Sequence, residues 1–168
     1  MAETLREARR IVARRDDLII AETAHGFVCA NAGVDGSNLP PDRLALLPLD
    51  PDLSARRIRA RLENLTGKDV VVVLSDTFGR AWRLGQTNIA IGVAGMAAFT
   101  DYRGTHDAQG RTLNATMICT ADEIASAAEL VMGKAEGIPA VVVKGARVPA
   151  GHGSARDIVR PPAEDLFR

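Results

Sequence analysis

The chain has 168 residues, of which 46% are hydrophobic, and its 21 basic and 21 acidic side chains cancel to a formal net charge of zero. This size and apolar content suit one compact domain with its own core, and zero net charge argues against a nucleic-acid partner, which requires a basic excess. No apolar run is long enough for a membrane span, and residues 1–15 lack the apolar centre of a secretion signal. We therefore expect a cytoplasmic protein without a membrane partner.

The elements predicted along the chain are helices and strands that alternate only in part. In order they are a helix over residues 4–15, strands at 18–21 and 27–30, a turn-rich stretch at 31–41, a helix over 54–65 ended by Gly67, strands at 70–74 and 89–93, an irregular hairpin over 99–116, a helix over 120–132 and a last buried strand at 141–143. Ser54 is expected to cap the second helix, and Thr120 with Glu123 to form a capping box for the third. The pattern predicts an α+β fold, a mixed sheet with flanking helices. Residues 1–149 are expected to form the domain, followed by a loose Gly- and Pro-rich tail over 150–168.

The turn-rich stretch contains the first candidate for chemistry, Asn31-Ala-Gly-Val-Asp35-Gly-Ser37-Asn38. Asp35 could ligate a hard cation, and Asn38 could hydrogen-bond a phosphate or a base. The alternative is a plain turn, because Asp-Gly-Ser-Asn is favourable turn sequence. Taken alone, the segment favours the turn.

A stronger candidate follows the next unbroken apolar run, where Asp76 and Thr77 are expected at the exit of a buried strand. Ligand sites favour this position, and the oxygens of these side chains suit magnesium. Arg80 and Arg83 follow and flank Trp82, so they could clamp a phosphate or carboxylate beside an aromatic face. The alternatives are that Asp76 only caps a turn and that Trp82 lies in the core, with the arginines reaching past it to solvent.

Neither cysteine is expected to form a disulfide or to bind metal. Cys29 and Cys119 each lie inside an apolar stretch, which predicts buried thiols in a reducing compartment. The sequence has no CxxC or HxxxH spacing, so any metal must be held by oxygen, which favours magnesium or manganese over zinc. Gln86, Thr87 and Asn88, just before an apolar strand, could orient a substrate or simply form a loop.

Beyond the two candidate loops, several further segments have distinctive sequences. With the two loops included, the segments are the loop 31–38, Leu46-Leu-Pro-Leu-Asp-Pro51, Ser75-Asp-Thr-Phe-Gly-Arg-Ala-Trp-Arg83, Gly85-Gln-Thr87, Ala90-Ile-Gly-Val-Ala-Gly95, Asp101-Tyr-Arg-Gly104, Leu130-Val-Met-Gly-Lys134 and Arg160-Pro-Pro-Ala-Glu-Asp-Leu-Phe167. Together they resemble the coenzyme F420 gamma-glutamyl ligases, which attach L-glutamate to the phospholactate end of a deazaflavin coenzyme. The likeness covers nearly the whole chain and is most specific from Ser75 to Thr87.

The resemblance implies the gamma-glutamyl ligase fold, a homodimer, and a ligase that uses GTP with magnesium or manganese, and potassium as a further ion. The substrate carboxylate would take the γ-phosphoryl group of GTP, and the amine of glutamate would displace it. By residue match, Asp35 and Asp76 are implied as metal ligands, with Thr77 helping a second ion. Contacts to GTP are implied for Asn38, Met132, Gly133, Lys134, Ala135, Glu136 and Gly137. Asp76, Arg80 and Arg83 are expected to act in catalysis.

Two departures from the family pattern bear on these expectations. Lys134 stands where archaeal members place a metal-binding Gln and where bacterial relatives carry Lys, so a second metal site is expected to be looser. The family domain begins about 70 residues earlier, with a strand and Ser and Lys contacts to the nucleotide phosphates. The chain alone is therefore expected to bind manganese yet ligate glutamate feebly. A non-catalytic module that binds nucleotide or deazaflavin and a metal-dependent phosphatase are the alternatives.

Overall fold

The computed structural model describes residues 1–166, so that Phe167, at the end of the last motif, and Arg168 lie outside the described residues. Within that part the helices are α1 (Ala2–Glu7), α2 (Pro51–Thr66) and α3 (Thr120–Met132), and the strands are β1 (Ala8–Arg15), β2 (Leu18–Thr23), β3 (Val28–Ala30), β4 (Val72–Arg80), β5 (Arg83–Ala94), β6 (Thr100–Asp101) and β7 (Met117–Ile118). The strands form three antiparallel sheets, ordered β1-β2-β3, β4-β5 and β6-β7. The α+β class is confirmed. No helix in the described part is long and apolar enough to cross a membrane.

The long hairpin of β4 and β5 carries the core, and both α2 and α3 pack against it. Val93 and Met96 are fully buried at its base, in one cluster with Ala121 of α3. A second cluster joins Phe27, next to the three-stranded sheet, to Phe78 of the hairpin. Because these clusters fix both sides of the hairpin, its polar side chains have a rigid support.

The first predicted helix is correct only at its start, because Ala8–Arg15 is the strand β1. This strand pairs antiparallel with β2, placing Ile11 opposite Ala21. Arg10 meets Glu22 across the pair, with 3.1 Å between Nη2 and Oε2. Apolar residues at helical spacing could not predict this, because the partner strand decides the conformation through cross-strand pairs.

Two further boundaries and one predicted helix cap differ from the sequence prediction. The strand that was expected to end at Leu74 continues to Arg80, so Asp76 lies within β4 rather than beyond it. Helix α2 begins at Pro51, because the Asp50 side chain accepts a hydrogen bond from the Leu53 N–H; Ser54 is not its cap. Helix α3 has no side-chain cap: the hydroxyl of Thr120 instead lies 2.6 Å from that of Thr100.

The carboxyl-terminal part differs from its sequence prediction in two places. The expected strand over 141–143 is absent from the described structure, and Val142 is 82% exposed. An apolar triplet without a neighbouring strand leaves its backbone groups unpaired, so composition alone does not make it a strand. The tail was expected to be loose, but Ala155 is 1% exposed and its N–H donates to the Asp52 carboxylate over 3.1 Å.

Candidate functional site

The two acidic segments singled out in the sequence converge on one pocket of about 290 Å³. Asp35 comes from the loop after β3, Asp76 and Thr77 come from β4, and Lys134 follows the end of α3. The side chains therefore reach one cavity from three segments that are distant in sequence. Such convergence is the geometry expected of a ligand site. A residue that only forms a turn does not need side chains from distant parts of the chain beside it.

Asp35 is held by its own loop. Its carboxylate accepts the Ser37 N–H at 2.8 Å and the Ser37 hydroxyl at 2.5 Å, while its backbone pairs with Ala45. The Ser37 hydroxyl and then the Ser37 N–H lower the pKa of Asp35, so it stays ionised at neutral pH. The plain-turn alternative is thus correct for the local geometry, and the same turn presents a charged oxygen to the pocket.

Asp76 is in a different electrostatic environment. Burial within β4 raises the pKa of its carboxyl, and the negative charge of Asp35 adds to this rise, whereas the Thr77 N–H and the Lys134 ammonium oppose it. The Thr77 N–H donates to Asp76 Oδ1 over 2.7 Å. A half-buried carboxylate beside another carboxylate favours a nearby cation, because the cation offsets both desolvation and mutual repulsion.

Thr77 is oriented by Asn88, its partner on β5. The Thr77 hydroxyl donates to Asn88 Oδ1 over 2.8 Å, and Asn88 is 5% exposed. Because the Thr77 hydroxyl hydrogen is donated to Asn88, the lone pairs of Thr77 Oγ1 face the pocket and can bind a cation or accept a hydrogen bond. Of the three polar residues at 86–88, Asn88 therefore positions a group of the site instead of forming a loop.

A turn at residues 31–33 forms another wall of the pocket, and its left-handed conformation was not predicted. Asn31, Ala32 and Gly33 have φ of 51°, 55° and 73°, and Asn31 and Gly33 line the cavity. A Cβ on Gly33 would lie 2.6 Å from the Leu47 side chain, so a larger residue fits there only if Leu47 moves. Successive left-handed residues cost about 1 kcal/mol or more each unless they are glycine. The Asn and Gly of this turn were its only signal, because both tolerate that conformation.

The segment that was expected to contact nucleotide borders the same pocket. The Asn38 amide donates to the backbone oxygen of Lys134 over 3.0 Å, which joins the Asp35 loop to the end of α3. Gly133 is the C-cap residue that follows α3, and the Glu136 carboxylate accepts the Ala135 N–H at 3.0 Å. Met132 ends α3, and Gly137 follows in an exposed loop with φ of 67°. Asn38 and Lys134 are therefore brought together, while a role of this segment in binding GTP stays a prediction.

The arginines that were expected to be catalytic lie elsewhere. Arg80 and Arg83 pair with each other at the tip of the β4–β5 hairpin and are exposed. Trp82, between them, is 86% exposed, so the alternative that placed it in the core is wrong. Neither arginine lines the pocket of Asp35 and Asp76. Their catalytic role stays a prediction.

A larger cavity of about 580 Å³ adjoins the acidic pocket and shares Cys29, Ala30 and Phe78 with it. Its lining is mainly apolar, and the two guanidinium groups among its lining residues belong to Arg80 and Arg160. Between the cavities, burial raises the pKa of Cys29 to about 12, so its thiol stays protonated at neutral pH. Both cysteines are free thiols; Cys29 is buried as expected, whereas Cys119 is only half-buried.

The donor set of the acidic pocket fits a hard divalent cation. Within residues 1–166, no group of three or more His, Cys, Asp or Glu side chains could hold a metal. The pocket offers two carboxylates and a hydroxyl, and magnesium is often bound by one or two carboxylates with water and substrate phosphates completing its shell. Asp35, Asp76 and Thr77 suit such a cation and do not suit zinc, which prefers nitrogen and sulfur.

The orientation of Thr77 gives a first testable expectation. We expect Asn88→Ala to weaken manganese binding by about three- to tenfold, because one hydrogen bond worth roughly 1 kcal/mol no longer fixes the Thr77 hydroxyl. The measurement is titration calorimetry with Mn²⁺, repeated in a Thr77→Val background. If Asn88→Ala weakens binding equally in that background, Asn88 does not act through Thr77.

Comparisons with known proteins bear on the whole chain. A family model described as F420-0:Gamma-glutamyl ligase matches residues 1–145. The chain is 52% identical to the coenzyme F420:L-glutamate ligase of Methanocaldococcus jannaschii, over 98% of this chain and 66% of that protein. Identity to the enzymes of the same name is 49% for Methanopyrus kandleri, covering 98% of this chain and 67% of that protein, and 45% for Methanothermobacter thermautotrophicus, covering 98% and 66%. The chain thus spans about two thirds of the length of these relatives.

Proposed function

Because the chain belongs to the F420-0:gamma-glutamyl ligase family, we propose that it joins L-glutamate to the deazaflavin coenzyme F420 through an amide bond, at the expense of GTP and with bound magnesium or manganese. The relatives named above are ligases of coenzyme F420 and L-glutamate by name. The nucleotide, the metal and the assembly state go beyond those names and are part of this proposal.

The observation that carries the proposal is the meeting of Asp35, Asp76 and Thr77 in one pocket. An amide bond does not form from a free carboxylate and an amine in water, so the carboxylate must first be activated. Phosphoryl transfer from a nucleotide performs that activation, and a cation held by carboxylates is its usual aid. A pocket with this oxygen set beside an ammonium group suits a polyphosphate.

The chemistry proceeds in two steps, phosphorylation of the carboxylate and displacement of phosphate by the amine. An oxygen of the coenzyme precursor's carboxylate attacks the γ-phosphorus of GTP, the bond to the bridging oxygen breaks, and GDP leaves. The amine of glutamate then attacks the acyl carbon, phosphate leaves with the electron pair of its C–O bond, and the amine loses a proton to solvent. When bound, the cation neutralises the charge that gathers on the transferring group.

This chain's own residues have separate tasks in that scheme. Asp35 and Asp76 would hold the cation, and Asn88 would hold Thr77 with its lone pairs toward the pocket. The adjoining apolar cavity would take the deazaflavin ring, since it is large and shares a wall with the acidic pocket. Arg80 and Arg160 among its lining residues would suit the phosphodiester of the same substrate.

A homodimer is part of the proposal, because large apolar side chains lie on the surface. Trp82 and Leu84 at the hairpin tip are 86% and 100% exposed, and Leu130 near the end of α3 is 87% exposed. Large apolar side chains exposed to this degree mark an interface when they adjoin one another on the surface. Light scattering at micromolar concentration should therefore give the mass of two chains, and a stable monomer would contradict this expectation.

The function is tested in two stages so that binding and turnover are separated. The 168-residue chain is first titrated with Mn²⁺ and GTP, and it is then incubated with both, L-glutamate and the coenzyme precursor. Mass spectrometry should find a small amount of the precursor heavier by one glutamyl residue, because only feeble ligation is expected of this chain, and phosphate should be released continuously only when glutamate is present. Binding without product would favour the non-catalytic module, and phosphate release that ignores glutamate would favour a phosphatase.

A further inference from the structure

The side chain of Lys134 lies among the oxygens that were assigned to the divalent cation. Its Nζ is 3.9 Å from Asp35 Oδ2 and 3.5 Å from Thr77 Oγ1. Asp76 lines the same pocket and also feels the charge of Lys134. One ammonium group therefore interacts with both carboxylates and with the hydroxyl group.

This placement is built by contacts from another part of the chain. The Asn38 amide donates to the Lys134 backbone oxygen over 3.0 Å, and these residues are 96 positions apart. Gly133, with φ of 59°, turns the chain out of α3 immediately before Lys134. The backbone of Lys134 is thus fixed by the same loop that carries Asp35, while its side chain is 57% exposed. The ammonium can leave the pocket without displacing the backbone.

We propose that Lys134 competes with the divalent cation. The Lys134 ammonium group occupies part of the oxygen set that would hold the cation, and it thereby weakens binding of the cation. The inference rests on the metal site of the proposed function. An ammonium group has three donors and no acceptor, so it cannot ligate a metal. Two cations also repel each other when they share the same carboxylates, so the divalent ion must move the ammonium away.

The competition has a benefit for the metal-free protein. Without a cation, Asp35 and Asp76 would repel each other, and the Lys134 charge reduces that repulsion. Lys134 should therefore stabilise the protein before metal binds and oppose metal binding afterwards.

The test measures Mn²⁺ binding to the chain without nucleotide, by calorimetry and by loss of the free Mn²⁺ signal in electron paramagnetic resonance. Lys134→Met keeps the length of the side chain and removes its charge, and Lys134→Arg keeps the charge. Lys68→Met, beyond the end of α2 and outside the pocket, is the matched control. We expect Lys134→Met to bind Mn²⁺ about tenfold more tightly than the wild type, with Lys134→Arg and Lys68→Met close to the wild type.

A second readout separates competition from a general effect on folding. The melting temperature of metal-free Lys134→Met should lie below that of the wild type, and saturating Mn²⁺ should remove the difference. Unchanged or weaker Mn²⁺ binding by Lys134→Met would overturn the inference and leave the proposed function standing. If neither the wild type nor Lys134→Met binds Mn²⁺, both the inference and the metal site of the proposed function are wrong.

Discussion

Asp76→Asn is expected to weaken manganese binding by roughly 30- to 1000-fold and to reduce glutamate ligation with it. The substitution keeps the size of the side chain and an oxygen that can accept the Thr77 N–H, but it removes a full negative charge. For a hard cation held by two carboxylates, losing one charge corresponds to about 2–4 kcal/mol of binding free energy. Titration calorimetry with Mn²⁺ measures the change directly.

The stability of the same variant separates a ligand role from a structural role. Burial, with the Asp35 charge, raises the pKa of Asp76 above its value in the unfolded chain. A carboxyl with a raised pKa loses native-state stability as pH rises above its unfolded value, since the ionised form is disfavoured in the fold. The uncharged Asn should therefore leave the metal-free protein at least as stable as the wild type.

The control is Asp69→Asn, whose carboxylate is 88% exposed and lies outside the pocket. Asp69→Asn should leave Mn²⁺ affinity unchanged. Should Asp76→Asn bind Mn²⁺ as tightly as the wild type, Asp76 is not a ligand. Should it unfold instead, its carboxylate serves the hairpin and the site assignment loses its main support.

Asp35 and Asp76 could be singled out from sequence as candidate cation ligands, although the Asp35 segment taken alone favoured a plain turn and their role as metal ligands stays a prediction. Asp35 lies in a turn-forming segment and Asp76 follows an apolar run, and these short-range features need no knowledge of the fold. Their approach to Lys134 was implied only by the family resemblance. The position of Asp76 inside β4 could not be predicted. A strand ends where its pairing with the partner strand ends, and β4 stays paired with β5 as far as Arg80.

The features that escaped prediction depend on contacts between distant segments. Residues 8–15 are a strand because β2 lies beside them, and the spacing of apolar residues along the chain carries no information about that neighbouring strand. Arg80 and Arg83 follow Asp76 in the same motif, yet the hairpin carries them away from it. The packed tail is the plainest case, because its Gly and Pro content predicted a loose segment while one buried carboxylate on α2 holds it in place.

That carboxylate, Asp52, connects three segments and is 7% exposed. Its Oδ1 accepts the Val93 N–H at 2.8 Å and the Ala155 N–H at 3.1 Å. Its Oδ2 accepts the Ser154 hydroxyl at 2.5 Å. Helix α2, strand β5 and the tail are therefore joined at one side chain that lies outside the acidic pocket.

Asp52→Ala is expected to lower the free energy of unfolding by about 3–5 kcal/mol. The truncation leaves the buried N–H groups of Val93 and Ala155 without an acceptor, and each such donor costs about 1–3 kcal/mol. A loss of this size is a large share of the roughly 5–15 kcal/mol that stabilises a typical domain. Urea unfolding followed by circular dichroism measures it.

Asp52→Asn is the informative partner variant, since it distinguishes hydrogen bonding from charge. Its side-chain oxygen can accept both N–H groups, and its NH₂ group can donate to the Ser154 hydroxyl oxygen. It should therefore retain more than half of the stability that Asp52→Ala loses, while Asp69→Ala at an exposed position should change stability far less. Equal losses for Ala and Asn at position 52 would mean that the negative charge, not the hydrogen-bond geometry, holds the tail on the core.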